Sequence, residues 1–264
     1  MKEKLLEQAK PRIQAITLFL IAIFVVGCAN IPNATINKES TPMQQPNPPI
    51  SSSTPQQQPV PFDSSKYAFP GSIDPARRYL FYLHGKIIED QGLPAVSPVY
   101  GEYEYPAILE KLGSYGFVVI SEQRAKNTDG IQYAHRVKDQ IADLLNSSVP
   151  AKNITVVGAS QGAGITVYIS HFLANKEVNF AIMAICNPEE VEYLKSNGVY
   201  LYGNVLSIYD SVDELGGSCR ELFSLSEGIS RQDEIVLHVG TGHGILYKPL
   251  DEWILPVVRW AGIP

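Results

Sequence analysis

The feature that most constrains this chain is an alternation confined to residues 76–263. Short apolar runs recur there with helix-like stretches between them. Tyr79–His84, Phe117–Ser121, Ile154–Val157, Phe180–Ile185, Val205–Tyr209 and Glu234–Val239 read as strands. Tyr105–Tyr115, Gln132–Leu145, Gly162–Leu173, Pro188–Ser196 and Leu250–Ala261 read as helices, several with apolar residues at helical spacing. Alternation of this kind predicts an α/β domain with a mostly parallel, doubly wound sheet and helices on both faces. Ligands in such sheets bind at the carboxyl ends of the strands, so residues that follow strands carry the functional expectation.

Upstream, the composition changes twice. Residues 1–14 carry four basic and two acidic side chains, and the run Ala15–Val26 is apolar except for Thr17. Twelve residues rise about 18 Å as a helix, short of the roughly 30 Å of a bilayer core. A basic stretch, a short apolar stretch and small residues describe a secretory signal over residues 1–27. Val25-Val26-Gly27-Cys28 resembles the bacterial lipobox, in which the signal is cut before the cysteine and Cys28 is lipidated. The resemblance implies a membrane-anchored envelope protein. Ala29, which is not Asp, favours the outer membrane by resemblance to proteobacterial lipoproteins. Several acyl chains on one cysteine would anchor stably, at about 0.8 kcal/mol per buried methylene. Residues 28–66 hold eight of the 19 Pro and one aromatic, Phe62, which predicts an extended linker with almost nothing to bury. Residues 67–264 form the expected folded domain. The whole chain carries −6, and the first 14 residues and the neutral linker leave −8 for that domain. That balance argues against a nucleic-acid partner.

Gly158-Ala159-Ser160-Gln161-Gly162 follows the strand Ile154–Val157 and opens the next helix. A serine in so sharp a strand-to-helix turn needs neighbours without bulk at −2 and +2, and two glycines supply them. By this motif and by strand–helix order, residues 76–263 resemble the α/β-hydrolase superfamily. The resemblance implies a Ser-acid-His triad in that chain order; no P-loop and no dinucleotide fingerprint appears in the sequence, and no cofactor is expected. His243 fits the base: it lies in the glycine-rich loop Gly240–Gly244 just after the last strand, whereas His238 lies inside that strand and His135 and His171 lie on helices. The acid follows Val205–Tyr209. Ile208–Asp213 matches the family pattern if Asp210 takes a glycine position, which makes Asp213 the acid and leaves Asp210 as the alternative. The oxyanion donors are expected from the N–H of Gln161 and, after His84-Gly85, from Lys86 or Ile87.

Residues 86–104 form a long acidic connection that either walls the pocket through Glu89 or is simply solvated. Arg124, just after a strand, either binds a substrate anion or pairs with a structural carboxylate. The short Ile185–Val205 connection leaves no room for a large cap, and Leu215–Arg231 is long enough for a small flap. Cys186 and Cys219 both fall near the catalytic edge and are candidates for a disulfide in an oxidising envelope; neither belongs to a metal motif. The expectation is an envelope-anchored serine hydrolase for a small acyl substrate, most simply a carboxylic ester. The alternatives are a non-catalytic binding lipoprotein on the same scaffold, or an acyltransferase, thioesterase or peptidase. Replacing Cys28 with Ser is expected to abolish incorporation of labelled palmitate and to move the protein from the membrane to the soluble fraction on fractionation.

Overall fold

The computed structural model describes residues 62–264. The expected signal, Cys28 and most of the linker lie outside the described residues. Among the described residues no helix is long and apolar enough to cross a membrane. The elements follow in the order β1 (Arg78–Leu83), α1 (Lys86–Gln91), β2 (Val96–Ser97), β3 (Gly101–Glu102), α2 (Tyr105–Ser114), β4 (Phe117–Ile120), α3 (Gly130–Asn146) and β5 (Ile154–Ala159). They continue with α4 (Gln161–Leu173), β6 (Asn179–Met183), α5 (Pro188–Ser196), β7 (Tyr202–Asp210), α6 (Arg220–Leu225), β8 (Gly228–Leu237) and α7 (Asp251–Trp260).

Six strands form one sheet in the order β4-β1-β5-β6-β7-β8, and every pairing is parallel. The residue alternation of each strand sends its side chains to two separate cores. On one face Leu80, Tyr82, Val157, Met183 and Ile208 pack against α2 and α7, with Trp253 fully buried. On the other, Tyr79, Phe81, Val156, Phe180 and Ile182 pack against α3, α4, α5 and α6. This is a doubly wound parallel α/β sheet with helices on both faces, and the described residues contain no inserted cap domain.

The structure departs from the sequence reading in four places. The connection 86–104 is not a plain loop: it holds α1 and the two-stranded antiparallel ribbon β2–β3. The segment Leu215–Arg231 is not a flap. Its helix α6 buries Leu222 and Phe223 in the core, and a disulfide joins Cys219 to Cys186 across a Cα–Cα distance of 5.1 Å. Strand β8 begins at Gly228, six residues before the apolar run, because the polar stretch from Ser230 to Asp233 pairs along an edge where side chains stay in water. Finally, the chain is packed before residue 67. Phe62 stacks on Tyr67 at 5.8 Å and meets Tyr105 edge-on at 5.6 Å, and Ser64–Tyr67 forms a 3-10 turn capped by the Asp63 carboxylate.

The chain runs from β1 outward to β4 and then crosses back, so β5 lies on the other side of β1. The strand order therefore reverses between β1 and β5, the place where open α/β sheets form a crevice. The β5–α4 turn crosses that point at very close range. A Cβ on Gly162 would lie 2.0 Å from the Leu83 carbonyl oxygen, and one on Gly158 would lie 2.3 Å from the Gly162 carbonyl oxygen. Gly164, two residues further into α4, would meet only Ile185, at 3.6 Å. Gly158→Ala and Gly162→Ala are expected to destabilise the domain by roughly 1–3 kcal/mol or more, the cost of overpacking. Gly164→Ala is expected to be neutral or to stabilise by up to about 1 kcal/mol through helix propensity. Thermal denaturation of the three variants checks this.

Candidate active site

Ser160 occupies the turn itself. Its φ of 54° and ψ of −119° lie outside the conformations a non-glycine residue normally adopts, at a cost of about 1–3 kcal/mol. The surroundings hold it there: its N–H donates to the Met183 carbonyl at 3.0 Å, and its own carbonyl accepts from Ala163 at 2.7 Å and Gly164 at 3.2 Å. The turn projects the side chain off the end of β5, and α4 begins immediately at Gln161. The first N–H groups of a helix have no partner within it.

The loops after β7 and β8 meet at the same edge of the sheet. His243 Nδ1 lies 3.0 Å from Asp213 Oδ2 and 3.2 Å from Oδ1. Both side chains are almost fully buried, at 8% and 0% exposure. Asp213 also accepts from the N–H groups of Leu215 at 2.9 Å and Gly216 at 3.2 Å. Burial alone would raise its pKa, but the bond and charge of His243 and these two backbone donors outweigh it, and the pKa falls below the usual value. A carboxylate at Nδ1 places the proton on that nitrogen and leaves Nε2 as the free base. Tyr100 closes the far side of the histidine, with ring centroids 6.4 Å apart.

Asp210, the alternative acid, does not reach His243. It is fully buried, and its two oxygens accept from Val212 N–H at 3.1 Å and Gly240 N–H at 2.9 Å. It thus clips the Asp213 loop to the His243 loop. His238 follows β8, bonds Ser211 at 2.9 Å and is exposed. His135 stacks on Phe172 at 4.0 Å, and His171 bonds the backbone of Tyr200.

The His84-Gly85 loop runs beside Ser160: a Cβ on Gly85 would lie 3.7 Å from the Ser160 Cβ. Helix α1 starts at Lys86 directly after it, so the N–H groups of Lys86 and Ile87 belong to an unpartnered first turn. Arg124 and Glu89 are not presented to solvent as substrate contacts. They pair with each other at 3.2 Å, with side chains at 0% and 1% exposure. Lys86 Nζ bonds Glu89 at 3.0 Å and Asp90 at 2.8 Å. A cavity of about 320 Å³ lies between the Ser64–Phe69 segment, the end of β4 and α3. None of Ser160, Asp213 and His243 lines it. No group of His, Cys, Asp and Glu suited to a metal occurs among the described residues.

No family model matches the sequence, and no curated protein does. Among solved structures, the chain is similar to SOBER1 of Arabidopsis thaliana (13% identity over 71% of this chain and 98% of that one, TM-score 0.46). It is also similar to a phospholipase/carboxylesterase from Dyadobacter fermentans (15%, 68% and 90%, TM-score 0.43) and to a feruloyl esterase module from Clostridium thermocellum complexed with sinapinate (13%, 69% and 80%, TM-score 0.39).

His84 sits under the site, fully buried. Its Nε2 accepts from Arg124 N–H at 2.9 Å, so Nδ1 carries the proton and donates to the Gly85 carbonyl at 2.9 Å. Burial, reinforced by the Arg124 charge, lowers its pKa to about 3. The unfolded chain binds this proton near pH 6.5 and the folded chain only near 3, so the contribution of His84 is complete above pH 6.5 and is lost as pH falls. Between pH 6 and 4, wild-type stability is expected to fall more steeply than that of His84→Gln, by up to about 1.4 kcal/mol per pH unit, in urea titrations.

Proposed function

We propose that this domain is a serine hydrolase that cleaves an acyl bond, a carboxylic ester by default, through an acyl-enzyme on Ser160. One observation carries the reading: a buried Asp213–His243 pair and a serine at positive φ stand on three loops at one carboxyl edge of one parallel sheet. In this scheme His243 Nε2 takes the Ser160 hydroxyl proton as Oγ attacks the carbonyl carbon. The carbonyl oxygen gathers charge and is met by the N–H of Gln161 and by that of Lys86 or Ile87. Collapse expels the alcohol, which leaves with the proton from His243. A water molecule then repeats the sequence, His243 taking its proton, and releases the carboxylic acid. Asp213 keeps the imidazole in one tautomer and stabilises its cation. Cys28 lipidation would hold the domain in the bacterial envelope, on the outer membrane.

The same scheme would serve thioesters and amides, which the fold does not distinguish. A fluorophosphonate probe is expected to label the wild-type protein and not Ser160→Ala. Labelling that survives Ser160→Ala, or none in the wild type, sinks the assignment. Among folded variants, Asp213→Asn is expected to lower kcat on a short acyl ester by about 10³–10⁴-fold, and Asp210→Asn by far less.

A further inference from the structure

Arg124 is 35 residues from Glu89 and 37 from Gln161 in sequence, yet its guanidinium touches both. Its Nη2 donates to the His84 carbonyl at 2.6 Å and to Gln161 Oε1 at 3.2 Å, and its Nε donates to Glu89 Oε2 at 3.2 Å. Its backbone N–H donates to His84 Nε2 at 2.9 Å, and its guanidinium carbon lies 5.6 Å from the Tyr133 ring centre. Nη1 is buried without a partner.

An ion pair wholly out of water costs several kcal/mol per ion in desolvation, and well-packed apolar residues often do as well or better for stability. What an arginine adds is a rigid planar fork that fixes several acceptors relative to one another. The acceptors here are not arbitrary. The His84 carbonyl lies one residue before Gly85, at the mouth of the Lys86–Ile87 turn. Glu89 belongs to the same short helix α1. Gln161 is the residue after the nucleophile. On the far side of the same loop stands Tyr103, whose hydroxyl bonds Tyr82 at 2.7 Å and whose ring would lie 3.8 Å from a Cβ on Gly85.

We propose that Arg124 is a positioning residue for acyl transfer: one guanidinium holds the two chain segments that carry the oxyanion donors at a fixed separation, without touching substrate. The proposal rests on the hydrolase reading above. It follows from the demand that both donors lie within about 2.7–3.1 Å of one developing oxyanion, a tolerance that a displacement of about 1 Å exceeds.

The test uses the full chain in detergent. Arg124→Lys keeps the charge and loses the fork. Its kcat on a p-nitrophenyl ester is expected to fall about 10²-fold with KM changed less than about three-fold. Affinity for a trifluoromethyl ketone, whose adduct with Ser160 bears the oxyanion, is expected to fall in parallel. Gln161→Ala severs only the α4 arm, keeps the backbone donor and leaves the core intact, so it decides the matter if Arg124→Lys does not fold. It is expected to lower kcat and ketone affinity about ten-fold. A raised KM at unchanged kcat for Arg124→Lys would make Arg124 a substrate contact and overturn the proposal. Unchanged kcat and ketone affinity in folded Gln161→Ala, or in folded Arg124→Lys with a lowered melting temperature, would overturn it as well. Absence of fluorophosphonate labelling in the wild type is a different result, and it removes the hydrolase reading together with the proposal.

Discussion

The contact on which the rest depends is the approach of the β5–α4 turn to β1, where the Gly162 backbone lies against the Leu83 carbonyl with no room for a side chain. That contact sets how closely α4 lies on the sheet. It fixes the strained conformation of Ser160, and it places the first turn of α4 beside the His84-Gly85 loop. Two glycines four residues apart therefore decide the packing of α4 and the conformation of Ser160 together. The strain at Ser160 is sustained because the backbone bonds to Met183, Ala163 and Gly164 over-determine the turn.

Around this fixed point the site is assembled from pairs of loops that are tied to each other and not only to the sheet. Asp210 clips the acid loop to the histidine loop. Gly216 passes so near the end of β6 that a Cβ would lie 2.8 Å from Ala184 Cα, which holds the Asp213 carboxylate against its two backbone donors. The Cys186–Cys219 bond lies just beyond, joining the segment after β6 to the N-terminus of α6. Each tie removes freedom from the Asp213–His243 pair, and Arg124 does the equivalent for the loops after β1 and β5.

Much of this was legible in the sequence, for identifiable reasons. Strands buried on both faces must be continuously apolar, so β1, β4, β5, β6 and most of β7 stood out. The motif Gly158–Gly162 fixed the turn, because glycine spacing there answers a steric demand. What was not legible shares a different character. Helix α1 is a six-residue piece, Lys-Ile-Ile-Glu-Asp-Gln, too short to display a helical period. The first half of β8 is polar because it borders water. The Arg124–Glu89 pair is a contact across 35 residues, and neither side chain carries a local sign that it is buried. Asp210 and Asp213 lie three residues apart after one strand and both bond the histidine loop, and only the partner of each, Gly240 N–H or His243 Nδ1, tells their roles apart.

The two margins of the sheet are finished differently. Strand β8 carries Arg231 and Asp233 exposed along its run, and the Arg231 guanidinium lies 3.6 Å above the Trp260 ring. Charge of this kind discourages a foreign strand from adding to an open edge. The β4 side has no such run; there the Tyr67 carbonyl accepts the Ser121 N–H at 2.8 Å just past the end of the strand, and Phe62 packs on Tyr105 of α2. The first residues of the domain are therefore tied both to the end of β4 and to α2. A fragment trimmed to begin at the apparent start of the α/β pattern would give up these ties and leave the Ser121 N–H without its partner.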